Sequence, residues 1–183
     1  FAEGIRSTRA AIQLSDVDRR FKRIMVTSSQ PKEGKSSISF AMSMAFAANE
    51  RVILVDADLR KPTQHKLTSL PVGSKGIADA LTSDIPIEDC LHRFEEGGIW
   101  IMPSGSGAVP NPSELLSSEA FGKLIEDLSG RFDRVVIDTP PCQVASDAML
   151  ISKYANTVLF VVKSEATPRR AIKNALKRLQ YVQ

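Results

Sequence analysis

The stretch VTSSQPKEGKSS (residues 26–37) decides the fold, together with VILVDADLRKP (residues 52–62). In the first, Ser29 to Ser36 spell S-x-x-x-x-G-K-S between a β-rich run and an apolar helical run. That is the strand–loop–helix setting of a phosphate-binding loop, with serine where the first glycine usually stands. Backbone N–H groups and the positive helix end would cradle phosphates, with the residues of the loop (Ser29, Gln30, Pro31, Lys32, Glu33, Gly34) wrapped around them. Lys35 would reach the β- and γ-phosphates and Ser36 would bind Mg²⁺, with Ser37 beside them. The plainer alternative is a helix N-terminus carrying G-K-S by chance.

The second stretch is a wholly apolar run closed by Asp56, with Asp58 two residues on and Arg60 behind it. Extended backbone would set both acids on one face. Two buried carboxylates repel, so a cation is expected between them. A carboxylate not fully used by the metal could take the proton of an incoming hydroxyl. A solvated turn, with Arg60 and Lys61 pairing the acids, is the competing reading. A third apolar run, VVID, ends in Asp138, the placement of a Walker-B aspartate beside the metal.

Outward from these runs, strand and helix patterns alternate. Residues 23–27, 52–56, 99–102, 134–138 and 157–162 read as strands. Residues 35–48, 77–81, 87–91, 113–116, 145–153 and 169–181 read as helical, and residues 121–128 as a helix closed by Gly130. At the start, residues 1–14 place Phe1, Ile5 and Ile12 on one helical face; near the end, Ile172, Ala175, Leu176 and Leu179 share another. The pattern predicts a P-loop-type α/β fold: an open, mostly parallel sheet with helices on both faces and its site at the carboxyl ends of the strands.

Composition narrows the classes. The 183 residues are 43% hydrophobic and 25% charged, ordinary for a globular domain. A net charge of +3 is too mild to argue for nucleic acid as a partner. Cys90 and Cys142 stand in unlike contexts without metal-ligand spacing and fit a reducing compartment. The longest apolar run, residues 38–48, is too short to span a bilayer. The chain opens on Phe1 inside a helical pattern, which suggests a piece of something longer.

VDADLR, SSQPKEGKSS and VVIDTPP resemble the Walker A′, A and B motifs of the bacterial tyrosine kinases (BY-kinases) of capsule and exopolysaccharide export. EGIRSTR (residues 3–9) is similar to that family's E-x-x-R-x-x-R element, and PNPSELL (residues 110–116) is a further match. The resemblance implies an ATP- and Mg²⁺-dependent protein-tyrosine autokinase that phosphorylates tyrosines of neighbouring subunits. It implies Asp56, Lys35, Asp58 and Arg60 as catalytic residues, and Ser36, Asp56, Asp58 and Asp138 around Mg²⁺. It implies that Glu3, Arg6 and Arg9 contact further copies in a ring-like homo-oligomer, although a solvated charged face is the ordinary reading of such a stripe. The partners implied are ATP and ADP, a membrane co-polymerase domain on the same or a separate chain, and a cognate tyrosine phosphatase. The place implied is the cytoplasmic face of the inner membrane. By the same resemblance residues 1–183 form one kinase domain, with residues 1–20 as oligomerisation helix and connection and with the last strand and tyrosine tail missing. Of the tyrosines, Tyr154 and Tyr181 both read as packing groups.

A MinD- or ParA-like ATPase switch is the runner-up. Those proteins carry a second lysine directly after the first residue of the loop, where this chain has Gln30. A nucleotide-gated assembly module without phosphotransfer is the third possibility, since it would use the same binding residues.

Overall fold

The computed structural model describes residues 1–16, 21–83 and 85–180. Six strands form one sheet in the order β3-β4-β2-β5-β1-β6. They are β1 (Arg23–Ser28), β2 (Val52–Asp56), β3 (His92–Phe94), β4 (Ile99–Met102), β5 (Arg134–Asp138) and β6 (Thr157–Val161). Five run parallel; β3 is antiparallel to β4. The α/β expectation therefore holds. The additions are β3, a one-turn helix, α3 (Gln64–Leu67), and a 3₁₀ turn at Glu95–Gly97, none long enough to give a periodic signal.

The central strands β2 and β5 are buried on both faces, and β1 nearly so, because alternate side chains feed two cores. Met25, Ile53, Val55, Val135 and Ile137 point into one cluster; Ile24, Val26, Val52, Leu54 and Val136 point into the other. The second cluster is closed by α1 (Ala2–Ser15) and α2 (Lys35–Ala47) through Ile5, Ile12, Met42 and Phe46. The first is closed by α5 (Pro112–Ser117), α6 (Glu119–Arg131), α7 (Asp147–Ser152) and α8 (Arg169–Gln180), with α4 (Ile77–Thr82) at its edge. Phe46 and Phe121 are fully buried; each contributes about 2–3 kcal/mol of apolar burial.

Five expectations change. Phe1 is 81% exposed at the N-cap of α1, so Ile5 and Ile12 make that helix's apolar contact without it. Gly130 does not end α6. The helix starts where Ser118 Oγ accepts the Phe121 N–H at 3.2 Å and runs on to Arg131, which pairs with Asp127 at 2.7 Å. Gly130 is exposed with open space around it, so the helix passes through it at only the usual entropic cost of a glycine. The helix expected from residue 145 begins at Asp147. On α8 the buried residues are Ala171, Ala175 and Leu179, while Leu176 is 41% exposed. Residues 87–90 are a 3₁₀ turn rather than an α-helix. Tyr154 packs edge-on against Phe121 at 5.5 Å, and a side chain on Gly122 would strike its ring, so its role is structural. Tyr181 lies outside the described residues. No helix among them is long and apolar enough to cross a membrane.

Candidate active site

The loop between β1 and α2 sits at the carboxyl edge of the sheet. It turns through Lys32 (φ 66°) and Gly34 (φ 91°), and Gly34 leads directly into α2. No atom crowds the place of a Gly34 Cβ, so glycine is favoured there by the left-handed backbone and not by lack of space. The Ile38 N–H closes the first helical bond on Gly34 O at 3.0 Å. The amides just before it have no intrahelical acceptor and face outward as anion donors. Pro31, Lys32 and Ser37 are exposed on the rim, while Ser29, Glu33 and Lys35 are buried.

Lys35 is the hub. Its Nζ lies 2.9 Å from Asp58 Oδ2, 3.2 Å from Ser36 Oγ and 3.7 Å from Asp138 Oδ1. Burial works against its charge, but Asp138 and Asp58 outweigh it and hold the ammonium above its ordinary range. Asp56 and Asp138 are paired in the β2–β5 register and fully buried. Asp56 Oδ2 accepts the N–H groups of Thr63 (3.0 Å) and Gln64 (2.9 Å), and Asp138 Oδ2 accepts Gln64 Nε2 at 2.8 Å. The other oxygen of each, Oδ1, is buried with no hydrogen-bond partner among the described residues. Burial first, and then Asp138's charge, push the Asp56 carboxyl up to about 7. Burial raises Asp138 as well, against the pull of Lys35.

Two orphaned carboxylate oxygens beside a serine hydroxyl form a hard-oxygen donor set, and buried polar atoms without partners are rare. The residues present therefore fit a Mg²⁺ ion accompanying nucleotide phosphates. The competing reading of a solvated turn fails at this point: both acids are buried, and the Lys61 backbone N–H bonds Asp58 Oδ1 at 3.1 Å and Asp58 O at 3.2 Å.

Three placements were not legible in sequence. Arg60 does not reach towards the loop. Its guanidinium lies against Asp147, with Nε at 2.6 Å from Oδ2, and also donates to Ser113 Oγ at 3.0 Å. Asp147, 87 residues away, is itself buried and takes the Ser113 hydroxyl at 2.5 Å. Glu33 turns inward: its carboxylate accepts the Gln30 N–H at 2.6 Å and the hydroxyls of Ser29 (3.0 Å) and Thr167. Burial opposes ionisation of Glu33, but the bonds from Thr167, Gln30 and Ser29 prevail and hold its carboxyl below the usual range. Gln64 is buried, with its amide nitrogen shared among Ser36 O, Ser39 Oγ and Asp138 Oδ2. Only the position of Gln64 just past the acidic strand end hinted at this.

On α1, Glu3 and Arg6 pair at 2.9 Å with side chains 80% and 70% exposed. Arg9 is tied inward, donating to Ala45 O on α2 at 2.6 Å.

Comparison with known proteins identifies the family. A family profile described as an AAA domain matches residues 21–183. The tyrosine-protein kinase YwqD of Bacillus subtilis is 33% identical over 97% of this chain and 75% of its own length. The tyrosine-protein kinase Wzc of Salmonella typhimurium is 32% identical over 96% of this chain, which spans 24% of that protein. The solved chimerical protein CapA2B2 superposes with a TM-score of 0.92 at 34% identity, covering 98% of this chain and 79% of that one. MinD from Pyrococcus horikoshii shares the fold alone, at a TM-score of 0.65 and 20% identity over 77% of this chain and 57% of its own. With a nucleotide-binding P-loop, three acids around Lys35 and these relatives, the chain belongs to the bacterial tyrosine kinase family.

Proposed function

We propose that this chain is the catalytic part of an ATP-dependent protein-tyrosine autokinase, one that phosphorylates neighbouring copies of itself and so regulates polysaccharide polymerisation and export. The observation that carries the reading is the pair Asp56 and Asp138, each with a buried oxygen that takes no hydrogen bond, beside the loop lysine.

In this reading the amides of residues 34–37 and the end of α2 take the β- and γ-phosphates, and Lys35 turns from Asp58 to the transferred group. Ser36 Oγ, Asp138 Oδ1 and Asp56 Oδ1 would hold Mg²⁺, with Asp58 at its margin. Bound there, Mg²⁺ offsets negative charge on the phosphates. The tyrosine Oη forms a bond to the γ-phosphorus as the bond to the β–γ bridging oxygen breaks. ADP leaves with that electron pair, and the phenolic proton passes to an Asp56 oxygen. The N–H groups of Thr63 and Gln64 hold the Asp56 carboxylate in place for that task. Arg60 acts as a strut, fixing the segment after Asp58 through Asp147 and Ser113.

Glu3 and Arg6, exposed on α1, are offered as contacts to a neighbouring copy in a ring, with Arg9 anchoring the helix that presents them. A membrane co-polymerase domain, on this protein or another, and a cognate tyrosine phosphatase complete the proposed partners, at the cytoplasmic face of the inner membrane. The reading is tested by following label from [γ-³²P]ATP: transfer to tyrosine supports it, and hydrolysis with no labelled tyrosine rejects it.

A further inference from the structure

Gln64 hydrogen-bonds both of the acids that end β2 and β5. It opens α3 and is fully buried. Its backbone N–H donates to Asp56 Oδ2 at 2.9 Å. Its side-chain nitrogen Nε2 lies 2.8 Å from Asp138 Oδ2, 3.1 Å from Ser36 O and 3.0 Å from Ser39 Oγ. One residue thus ties together the ends of two neighbouring strands and the first turn of α2.

The orientation of the amide is fixed by its surroundings. Ser36 O can only accept, so the nitrogen and not the oxygen faces this group. The amide oxygen, Oε1, is left buried with no hydrogen-bond partner among the described residues. A buried carbonyl in that position costs about 1–3 kcal/mol. Methionine would fill a similar space without that cost, so packing alone does not account for glutamine here. What the side chain gains lies in the bonds from its nitrogen.

Those bonds bear on the two acids. Asp56 and Asp138 face each other in the β2–β5 register, where neighbouring strands lie about 4.8 Å apart. A carboxylate turns easily about its last torsion. Mg²⁺ is strict in return: it asks for a near-ideal octahedron of oxygens at about 2.1 Å. Two acids on adjacent strands can each offer one oxygen to such an ion only if both are held from turning. Gln64 bonds Oδ2 of each, and Oδ1 of each takes no hydrogen bond among the described residues.

We infer that Gln64 is a positioning residue for the cation. By holding Oδ2 of Asp56 and of Asp138 it reserves the two Oδ1 atoms for Mg²⁺, and so sets the affinity of the nucleotide site for the metal. The inference rests on the magnesium-nucleotide part of the reading above and adds the residue that orients the ligands.

Three variants test it. Gln64→Met keeps the volume and the backbone bond to Asp56 but removes the bonds from Nε2. Gln64→Asn is polar and one carbon shorter, a milder form of the same loss. Ser39→Ala removes a neighbour of Nε2 that touches neither acid. ADP affinity is measured by calorimetry in EDTA and across a Mg²⁺ titration. The Mg²⁺ concentration that gives half of the gain in ADP affinity is expected to rise about tenfold or more in Gln64→Met and about threefold in Gln64→Asn, and to stay within about twofold in Ser39→Ala. ADP affinity in EDTA stays within about twofold of wild type throughout, which also checks that the variants fold. An unchanged Mg²⁺ requirement in Gln64→Met overturns the inference, and Gln64→Asn decides in its place if the methionine variant does not fold. An equal rise in Ser39→Ala overturns it too, since the effect would then be a general loosening of the site, as does a wild type whose ADP affinity ignores Mg²⁺. Failure of the kinase reading alone looks different: the Mg²⁺ effect of Gln64 persists while no label reaches tyrosine.

Discussion

Asp56 and Asp138 end adjacent parallel strands at the same register level, and each leaves one buried oxygen without a hydrogen-bond partner among the described residues. Such a pair is costly without a cation, because two desolvated like charges share one low-dielectric site.

Removing one of those charges should stabilise the nucleotide-free protein. The Asp56 carboxyl is raised from 3.8 to about 7 by burial and by Asp138. Between those values the folded state holds a proton that the unfolded chain has released, so stability falls as pH rises through this window. Asp56→Asn is expected to raise the melting temperature at pH 8 by about 3 °C or more while abolishing phosphotransfer. The gain should shrink towards pH 4. A lower melting temperature in the variant at pH 8 would contradict the electrostatic account.

Lys35→Met should abolish phosphotransfer and leave the fold recognisable by circular dichroism. It removes the cation nearest Asp58 and Asp138, at 2.9 and 3.7 Å. Breaking such a buried set costs about 3 kcal/mol. Denaturant melts should show the deficit most clearly at alkaline pH, where the acids stay charged.

Glu33 closes the phosphate loop onto the segment before α8 through Thr167. Glu33→Gln loses charge-assisted bonds and should weaken nucleotide binding about tenfold by calorimetry, a loss near 1.4 kcal/mol. Adding Thr167→Val should cost less than the sum of the two single changes, since they share one bond.

The two α1 arginines should separate by assay. Arg6→Ala leaves stability unchanged, because the Glu3–Arg6 pair is exposed. Arg9→Ala should lower stability by about 1 kcal/mol through loss of its bond to Ala45 O. Together they should reduce the assembled mass in light scattering more than they reduce ATP affinity. An unchanged mass would remove Glu3, Arg6 and Arg9 from the interface.

The sheet and the three acids were readable because continuous apolar runs such as VILVD and VVID bury on both faces and carry the acids to one edge. The loop was readable because its lysine and glycine stand in a fixed local spacing. What sequence did not reveal depends on distant partners. Arg60 finds Asp147 87 residues on, Glu33 finds Thr167 134 residues on, and Gln64 finds Asp138 74 residues on, none with a local period. Gly130 misled for the opposite reason. A local stop signal was overridden by Arg131, by the Phe132 N–H bonding Leu128 O at 3.0 Å, and by burial of Phe132.

The central claim is that the Asp56–Asp138–Lys35 site drives phosphoryl transfer to tyrosine. The direct measurement is phosphotyrosine formed on a tyrosine peptide from ATP and Mg²⁺, compared among the wild type, Asp56→Asn and Lys35→Met. Phosphotyrosine with the wild type, and its loss by at least about a hundredfold in both variants, is the predicted result. ATP turnover by the wild type with no phosphotyrosine, or wild-type transfer by either variant, would contradict the account.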